Sequence, residues 1–265
     1  MTALLTGALI NPVCPEPQAA AAADAPEETV ILLHGLGRTS RSMRNIQRHL
    51  TRAGYRVINL SYPSTSRSIE QIVAYLGPEL DSYCASPQAR VHFVTHSLGG
   101  IILRCYLRKN RPAGLGRVVM LCPPNRGSEL ADRLAGWPVY RVLTGPAGQQ
   151  LGTGSSGVVN CLGPVDFELG VIAGNRSLNP LFSHLIPGTD DGTVSVESTK
   201  VPGMQDSLLV PRSHTFIMND PEVARQVEHF LHHGRFDKPE IPEETGANRA
   251  CSPQHGGTLR SDTSR

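Results

Sequence analysis

The residues best suited to chemistry lie in one stretch, Val91–His92–Phe93–Val94–Thr95–His96–Ser97–Leu98–Gly99–Gly100. An apolar run (Val91 to Thr95) leads into Ser97, and a helical apolar pattern, Leu98 to Leu107, starts directly after it. A serine on the turn between a buried strand and a helix is held on a strained backbone. Its Oγ then projects above the carboxyl end of the sheet, where it can act as a nucleophile. Strand and helix cross closely at such a turn, so small residues are needed two positions either side. Gly99 and Gly100 meet that need, whereas Thr95 brings a branched Cβ where glycine is usual. A serine here can also be no more than a helix N-cap, so the nucleophile reading depends on partners elsewhere.

Attack on an acyl carbonyl builds negative charge on its oxygen, and two backbone N–H groups aimed at that oxygen stabilise it. One comes from the residue after the nucleophile, Leu98. The other comes from an early strand-to-helix loop, and His34–Gly35–Leu36–Gly37, at the end of the apolar run Thr29 to Leu33, offers Leu36. His34 is read as ordering this loop by hydrogen bonding rather than as the base. The partners of such a serine follow it in the order acid, then histidine. His214 follows the apolar run Ser207 to Val210 and precedes the last helix, where a loop can carry its imidazole to the serine. His229, His232 and His233 fall on or after that helix and are read as solvated, and His184 lies in a loop. The acid is sought after the run Leu169 to Ala173, where Asp190–Asp191–Gly192 supplies adjacent carboxylates. Asp191 is preferred, with Asp190 the alternative and Asp166 and Asp206 weaker ones. A plain Asp-Gly turn is the bland reading.

The elements that must position these groups alternate. The continuous apolar run Thr29–Leu33 reads as a strand buried on both faces, and Tyr55–Leu60, Val91–Thr95 and Val118–Cys122 read as the next strands. Helical patterns at 40–53, 69–83 and 98–107 separate them. Strict alternation implies parallel strands with helices between. Glu129 to Leu134 reads as a short helix inside a Gly- and Pro-rich excursion over about 128–165, the expected lid. Two more strands, Leu169–Ala173 and Ser207–Val210, precede a last helix at 221–231. The domain is thus expected over 28–234, after an irregular N-terminal segment at 1–27 and before a disordered polar tail at 235–265.

Taken together, five motifs resemble the lipase branch of the α/β-hydrolases, in particular bacterial triacylglycerol lipases and related cytoplasmic lipase-like esterases. They are His34–Gly35–Leu36, Thr95–His96–Ser97–Leu98–Gly99–Gly100, Cys122–Pro123–Pro124–Asn125–Arg126–Gly127–Ser128, Asp190–Asp191–Gly192–Thr193–Val194–Ser195 and Ser213–His214. The resemblance spans about 29–233 and implies an α/β-hydrolase fold, a mostly parallel sheet with helices on both faces and a small lid. It also implies carboxylic-ester hydrolysis through an acyl-enzyme, with no organic cofactor. Thr95 departs from the family pattern, and the lid segment is short and not strongly apolar, which puts triacylglycerol specificity in doubt. No acidic pair matches the structural Ca²⁺ site of some members.

Composition adds exclusions. The chain has 265 residues, a formal net charge of +2 and an ordinary hydrophobic share of 39%. The sequence reads as having no Lys and Arg stripe, so nucleic acid is not an expected partner; the expected partner is a small acyl ester or lipid. No run approaches the roughly 18 apolar residues of a membrane span. The six cysteines form no C-x-x-C pair, which argues against zinc and redox sites. Cys105 and Cys122 read as small buried hydrophobes. Scattered cysteines favour the cytoplasm, with export the alternative because Ala3–Ile10 and Ala19–Ala23 weakly suggest a signal. Three rivals remain. A thioesterase, amidase or acyltransferase would use the same residues. A binding protein on this scaffold would have had no reason to keep three separated groups. A metallohydrolase built on His34, His96 and Asp190 or Asp191 lacks ligand spacing.

Overall fold

The computed structural model describes residues 28–86, 88–154 and 157–238, so the expected lead-in over 1–27 and the tail beyond Lys238 lie outside the described residues. Six strands are described: β1 (Thr29–Leu33), β2 (Arg56–Leu60), β3 (Val91–His96), β4 (Leu115–Leu121), β5 (Leu169–Gly174) and β6 (Asp206–Val210). They form one sheet in the order β2-β1-β3-β4-β5-β6, and every pair is parallel. The helices are α1 (Arg44–Arg52, after a 3-10 turn at Ser40–Met43), α2 (Ile69–Tyr83), α3 (Leu98–Lys109), α4 (Glu129–Leu134), α5 (Pro138–Gln149), α6 (Pro180–Leu185), α7 (Val196–Thr199) and α8 (Pro221–His233).

The continuous apolar runs are explained by burial of both sheet faces. Ile31, Phe93, Met120 and Val171 pack in one core with Ile72 and Leu76 of α2 and Ile102 and Tyr106 of α3. Their strand neighbours Leu32, Val94, Val119 and Ile172 pack on the opposite face with Ile46 and Leu50 of α1 and Val227 and Phe230 of α8. Each such side chain, fully withdrawn from water, contributes about 1.5–3 kcal/mol. The chain leaves β1 toward β2 on one side but leaves β3 toward β4 on the other. Loops therefore diverge above the carboxyl ends of β1 and β3, and a parallel sheet opens its crevice at such a point.

Three features differ from the sequence reading. The excursion over 128–165 holds a second helix, α5, which Gly145 (φ 60°, ψ −166°) breaks into two pieces before Pro146. A Cβ on Gly145 would fall 1.6 Å from the Thr65 carbonyl oxygen, so glycine is required there. At the other end, Phe236 is 4% exposed and packs against Phe230 with ring centres 5.0 Å apart and tilted by 38°, and Lys238 pairs with Asp206, so packing continues past residue 234. The expected lack of a basic stripe does not hold. Seven arginines and no Asp or Glu occur between residues 29 and 69. Arg41, Arg44, Arg48 and Arg52 recur along α1 and its leading turn and are all exposed. The small net charge hides them because the balancing acids lie elsewhere in the chain.

Candidate active site

β3 ends at His96 and α3 begins at Leu98, which leaves Ser97 as the whole turn, with φ 51° and ψ −120°. The close crossing is visible at Gly99, where a Cβ would come within 2.6 Å of the Leu33 carbonyl oxygen and 2.8 Å of that of His34. Thr95 is fully buried, and its Oγ1 has no partner among the described residues. A Cβ on Gly100 would meet that oxygen at 3.3 Å. The second glycine thus makes the room that a glycine at 95 would otherwise give.

His214 Nε2 lies 3.0 Å from Ser97 Oγ, and His214 Nδ1 lies 2.7 Å from Asp191 Oδ2. An ionised carboxylate only accepts, so Nδ1 carries the proton and Nε2 is left to accept from the serine hydroxyl. Asp191 Oδ1 accepts from the N–H groups of Thr193 (2.9 Å) and Val194 (2.8 Å), and the His214 N–H donates to the Asp191 carbonyl at 3.0 Å. Burial pushes the Asp191 carboxyl up, but the His214 imidazole, the Cys122 thiol and the Val194 N–H outweigh it and hold its pKa below the ordinary value. Asp190 sits differently: its Oδ1 accepts from Ser183 Oγ (2.8 Å) and the Gly192 N–H (2.7 Å), bracing the loop. Asp166 pairs with Arg111, and Asp206 with Lys238, away from the serine.

Leu98 opens α3, so its N–H is one of the orphan donors of a helix start. Leu36 follows Gly35, whose backbone lies so close to the serine that a Cβ there would meet Ser97 Cβ at 3.2 Å. Leu36 lines the same cleft as Ser97. His34 is fully buried and stacks on Tyr62 at 4.0 Å; its Nδ1 bonds to Gly35 O at 2.8 Å and its Nε2 accepts from the Tyr62 N–H at 3.2 Å. Burial lowers its pKa. His34 thus orders the loop. His96 Nε2 bonds to the His214 carbonyl at 3.0 Å, and burial followed by the neighbouring His214 pushes its pKa well below the usual value. Neither histidine gathers with Asp190 or Asp191 as a ligand set among the described residues.

Cys122, read from sequence as a plain core residue, is part of this site. Its Sγ, an Asp191 oxygen and a His214 ring nitrogen lie within 4.8 Å of one another. Cys122 and Ser97 are the two non-glycine residues with positive φ among the described residues, at 47° and 51°. Such strain costs about 1–3 kcal/mol and clusters at working sites. The signal available in sequence was Pro123–Pro124, which cannot extend the strand and leave Cys122 at the turn after β4. The acid loop is further held by Glu129, which accepts from Ser195 (3.1 Å) and Ser198 (2.8 Å).

Above the serine lies a cleft of about 230 Å³ whose exposed surface is more apolar than polar, with Leu36, Leu130, Ala131, Tyr140 and Leu151 among its walls and Arg38, Ser128, Thr144, Thr193 and Thr215 beside them. The polar residues Gln149, Gln150 and Asn160 of the lid segment do not line it. Gln150 holds the Ile69 N–H and Glu70, Gln149 bonds Thr144, and Asn160 bonds the carbonyls of Thr153 and Gly154. No described helix is long and apolar enough to cross a membrane.

Solved structures share this architecture. A mature lipase, BlEst2 of Bacillus licheniformis, is 19% identical with a TM-score of 0.59, over 81% of this chain and 95% of that one. Phospholipase PlaB from Legionella pneumophila is 19% identical with a TM-score of 0.63, over 77% of this chain and 57% of that one. YbtT, a type II thioesterase of the yersiniabactin pathway, is 15% identical with a TM-score of 0.55, over 82% and 98%. At these identities the likeness concerns the fold. No curated protein matches by sequence. The model of the alpha/beta hydrolase family matches residues 30–242, most of the domain and all of the motifs above, and the chain therefore belongs to that family, a hydrolase family whose lipases and esterases it resembles in structure.

Proposed function

We propose that the protein hydrolyses carboxylic esters by two-step acyl transfer on Ser97, His214 and Asp191. His214 Nε2 removes the hydroxyl proton as Ser97 Oγ attacks the ester carbonyl, and the imidazolium then returns that proton to the leaving alcohol. The N–H groups of Leu36 and Leu98 take up the charge on the carbonyl oxygen; losing one such donor typically costs about a hundred- to a thousandfold in rate. Asp191 keeps the proton on Nδ1 and stabilises the imidazolium. Water, activated by the same histidine, releases the acid. The observation that carries the reading is the hydrogen-bonded row from strained Ser97 Oγ through His214 to a carboxylate whose side chain is 1% exposed.

An apolar cleft of about 230 Å³ is below the roughly 300–1,000 Å³ that encloses a drug-sized ligand. It holds the carbons nearest the carbonyl, and a longer chain runs out over the mouth. The described cysteines are free thiols, which fits the cytoplasm. The test is a panel of matched butyryl oxygen esters, thioesters and anilides across acyl lengths. Highest kcat/KM on oxygen esters supports the reading; turnover of thioesters alone would replace it with a thioesterase.

A further inference from the structure

The arginines between residues 29 and 69 meet no carboxylate as ion pairs among the described residues. Arg38 lines the cleft itself. Arg41 and Arg44 follow β1, and Arg67 follows β2 and lies 4.7 Å over the Tyr75 ring. All four fall after parallel strands and at or before the start of the returning helix. They therefore share the carboxyl end of the sheet with Ser97.

The other side of the same mouth is α5, whose faces are arranged in an unusual sense. Tyr140 and Thr144 line the cleft. Val139, Val142 and Leu143, at helical spacing on another face, are 68%, 81% and 69% exposed, and Trp137 at the helix start is 64% exposed. Apolar side chains turned outward at this density mark a surface that meets something apolar. The helix is seated next to the arginine side, because Gly145 packs on Thr65 and a Cβ on Gly148 would touch Leu36. α5 carries no acid and adds exposed Arg141. The carboxylates of Glu70 and Asp132 accept from Gln150 and Thr153 and form no ion pair with these arginines among the described residues.

We infer that this rim docks on an anionic lipid surface, with Trp137, Val139, Val142 and Leu143 entering the acyl boundary and Arg38, Arg41, Arg44 and Arg67 meeting negative headgroups. The inference rests on the ester-hydrolase reading of the cleft and gives it a substrate class, the esters of negatively charged lipids. A nucleic acid would answer the arginines but leave the apolar face of α5 in water, so charge and apolarity together select the lipid.

Binding is measured on the full chain without relying on turnover, and the Ser97→Ala variant must behave as wild type. The chain has one tryptophan, so its fluorescence reports Trp137 alone. Vesicles of phosphatidylcholine with phosphatidylglycerol should shift that emission to the blue and carry the protein in flotation, whereas phosphatidylcholine alone should not. Raising salt should weaken the binding. Each guanidinium near an anionic surface is worth about a fivefold change in partition, so Arg41→Gln with Arg44→Gln should lose about 25-fold. Val142→Glu should abolish the blue shift. Thermal melts confirm that the variants stay folded, Arg41, Arg44 and Val142 being exposed and Ser97→Ala removing only a hydroxyl. Equal binding to neutral vesicles, no binding to either, or displacement of vesicles by a duplex oligonucleotide would each overturn the inference. Binding as expected together with no ester turnover would fault the ester-hydrolase reading instead.

Discussion

Exchanging Asp191 for asparagine should cost about four orders of magnitude in kcat/KM, and the geometry says why. Asp191 Oδ1 is held by two backbone donors, the N–H groups of Thr193 at 2.9 Å and Val194 at 2.8 Å. An asparagine must keep its carbonyl oxygen there, which places its NH₂ where Oδ2 was, 2.7 Å from His214 Nδ1. That donor forces the ring proton to Nε2, which faces Ser97 Oγ at 3.0 Å. An Nε2 that already carries a proton cannot remove one. The wrong tautomer lowers turnover by about 10⁴ in comparable sites, or about 5 kcal/mol of barrier. Asp190 provides the control. Its Oδ1 accepts from Ser183 and Gly192, and an asparagine oxygen can accept both, so Asp190→Asn should lose less than about tenfold. The assay is kcat/KM on 4-nitrophenyl butyrate for both variants, with melts to confirm folding. Asp191→Asn within tenfold of wild type, or a larger loss in Asp190→Asn, would refute the reasoning.

Three further outcomes follow from the same geometry. His34 and His96 are buried with pKa values below the ordinary 6.5, so the unfolded chain takes up protons first. Stability should be full above about pH 6.5 and fall as pH drops below it, by up to about 1.4 kcal/mol per pH unit per histidine; urea midpoints unchanged between pH 7 and 5 would contradict this. Thr95→Val removes a buried hydroxyl that has no partner among the described residues, and should raise stability by about 1 kcal/mol in a thermal melt; a lower Tm would mean that the hydroxyl has a partner. Cys122→Ala takes the thiol from beside Asp191, whose carboxylate has three acceptor positions filled by His214, Thr193 and Val194. It should lower kcat roughly threefold to tenfold, while Cys122→Ser should keep it; equal behaviour of the two variants would assign Cys122 to packing alone.

Much of the fold could be read from the chain because the sheet is buried on both faces. Val30–Leu33 and Val118–Leu121 are uninterrupted apolar runs, and a two-residue alternation is not needed to see them. The turn at Ser97 was legible because strand, serine and helix are contiguous. Elements that depend on distant packing were not legible. α5 shows Gly145, Pro146 and an outward apolar face, which in sequence look like a loop; the Thr65 backbone packed against Gly145 explains the glycine. Phe236 stands alone in a polar stretch, and its pocket against Phe230 is formed by the fold. Cys122 looks like any buried cysteine until the acid loop, 69 residues later at Asp191, arrives beside it. The arginines after β1 and β2 were in plain view, but a balanced total charge concealed them. The choice between Asp190 and Asp191 needed geometry, since adjacent residues on a turn face different partners.

The central claim is that Ser97 Oγ is the nucleophile of an ester hydrolase. It is tested most directly by intact-mass measurement of the protein after a fluorophosphonate probe, beside its Ser97→Ala variant, with 4-nitrophenyl butyrate turnover recorded on the same samples. One covalent adduct is expected on the wild type, located on Ser97 by peptide mapping, together with loss of turnover, and neither adduct nor turnover in Ser97→Ala. A folded wild type that takes no adduct and turns over no ester, or a Ser97→Ala variant that still does both, would contradict it.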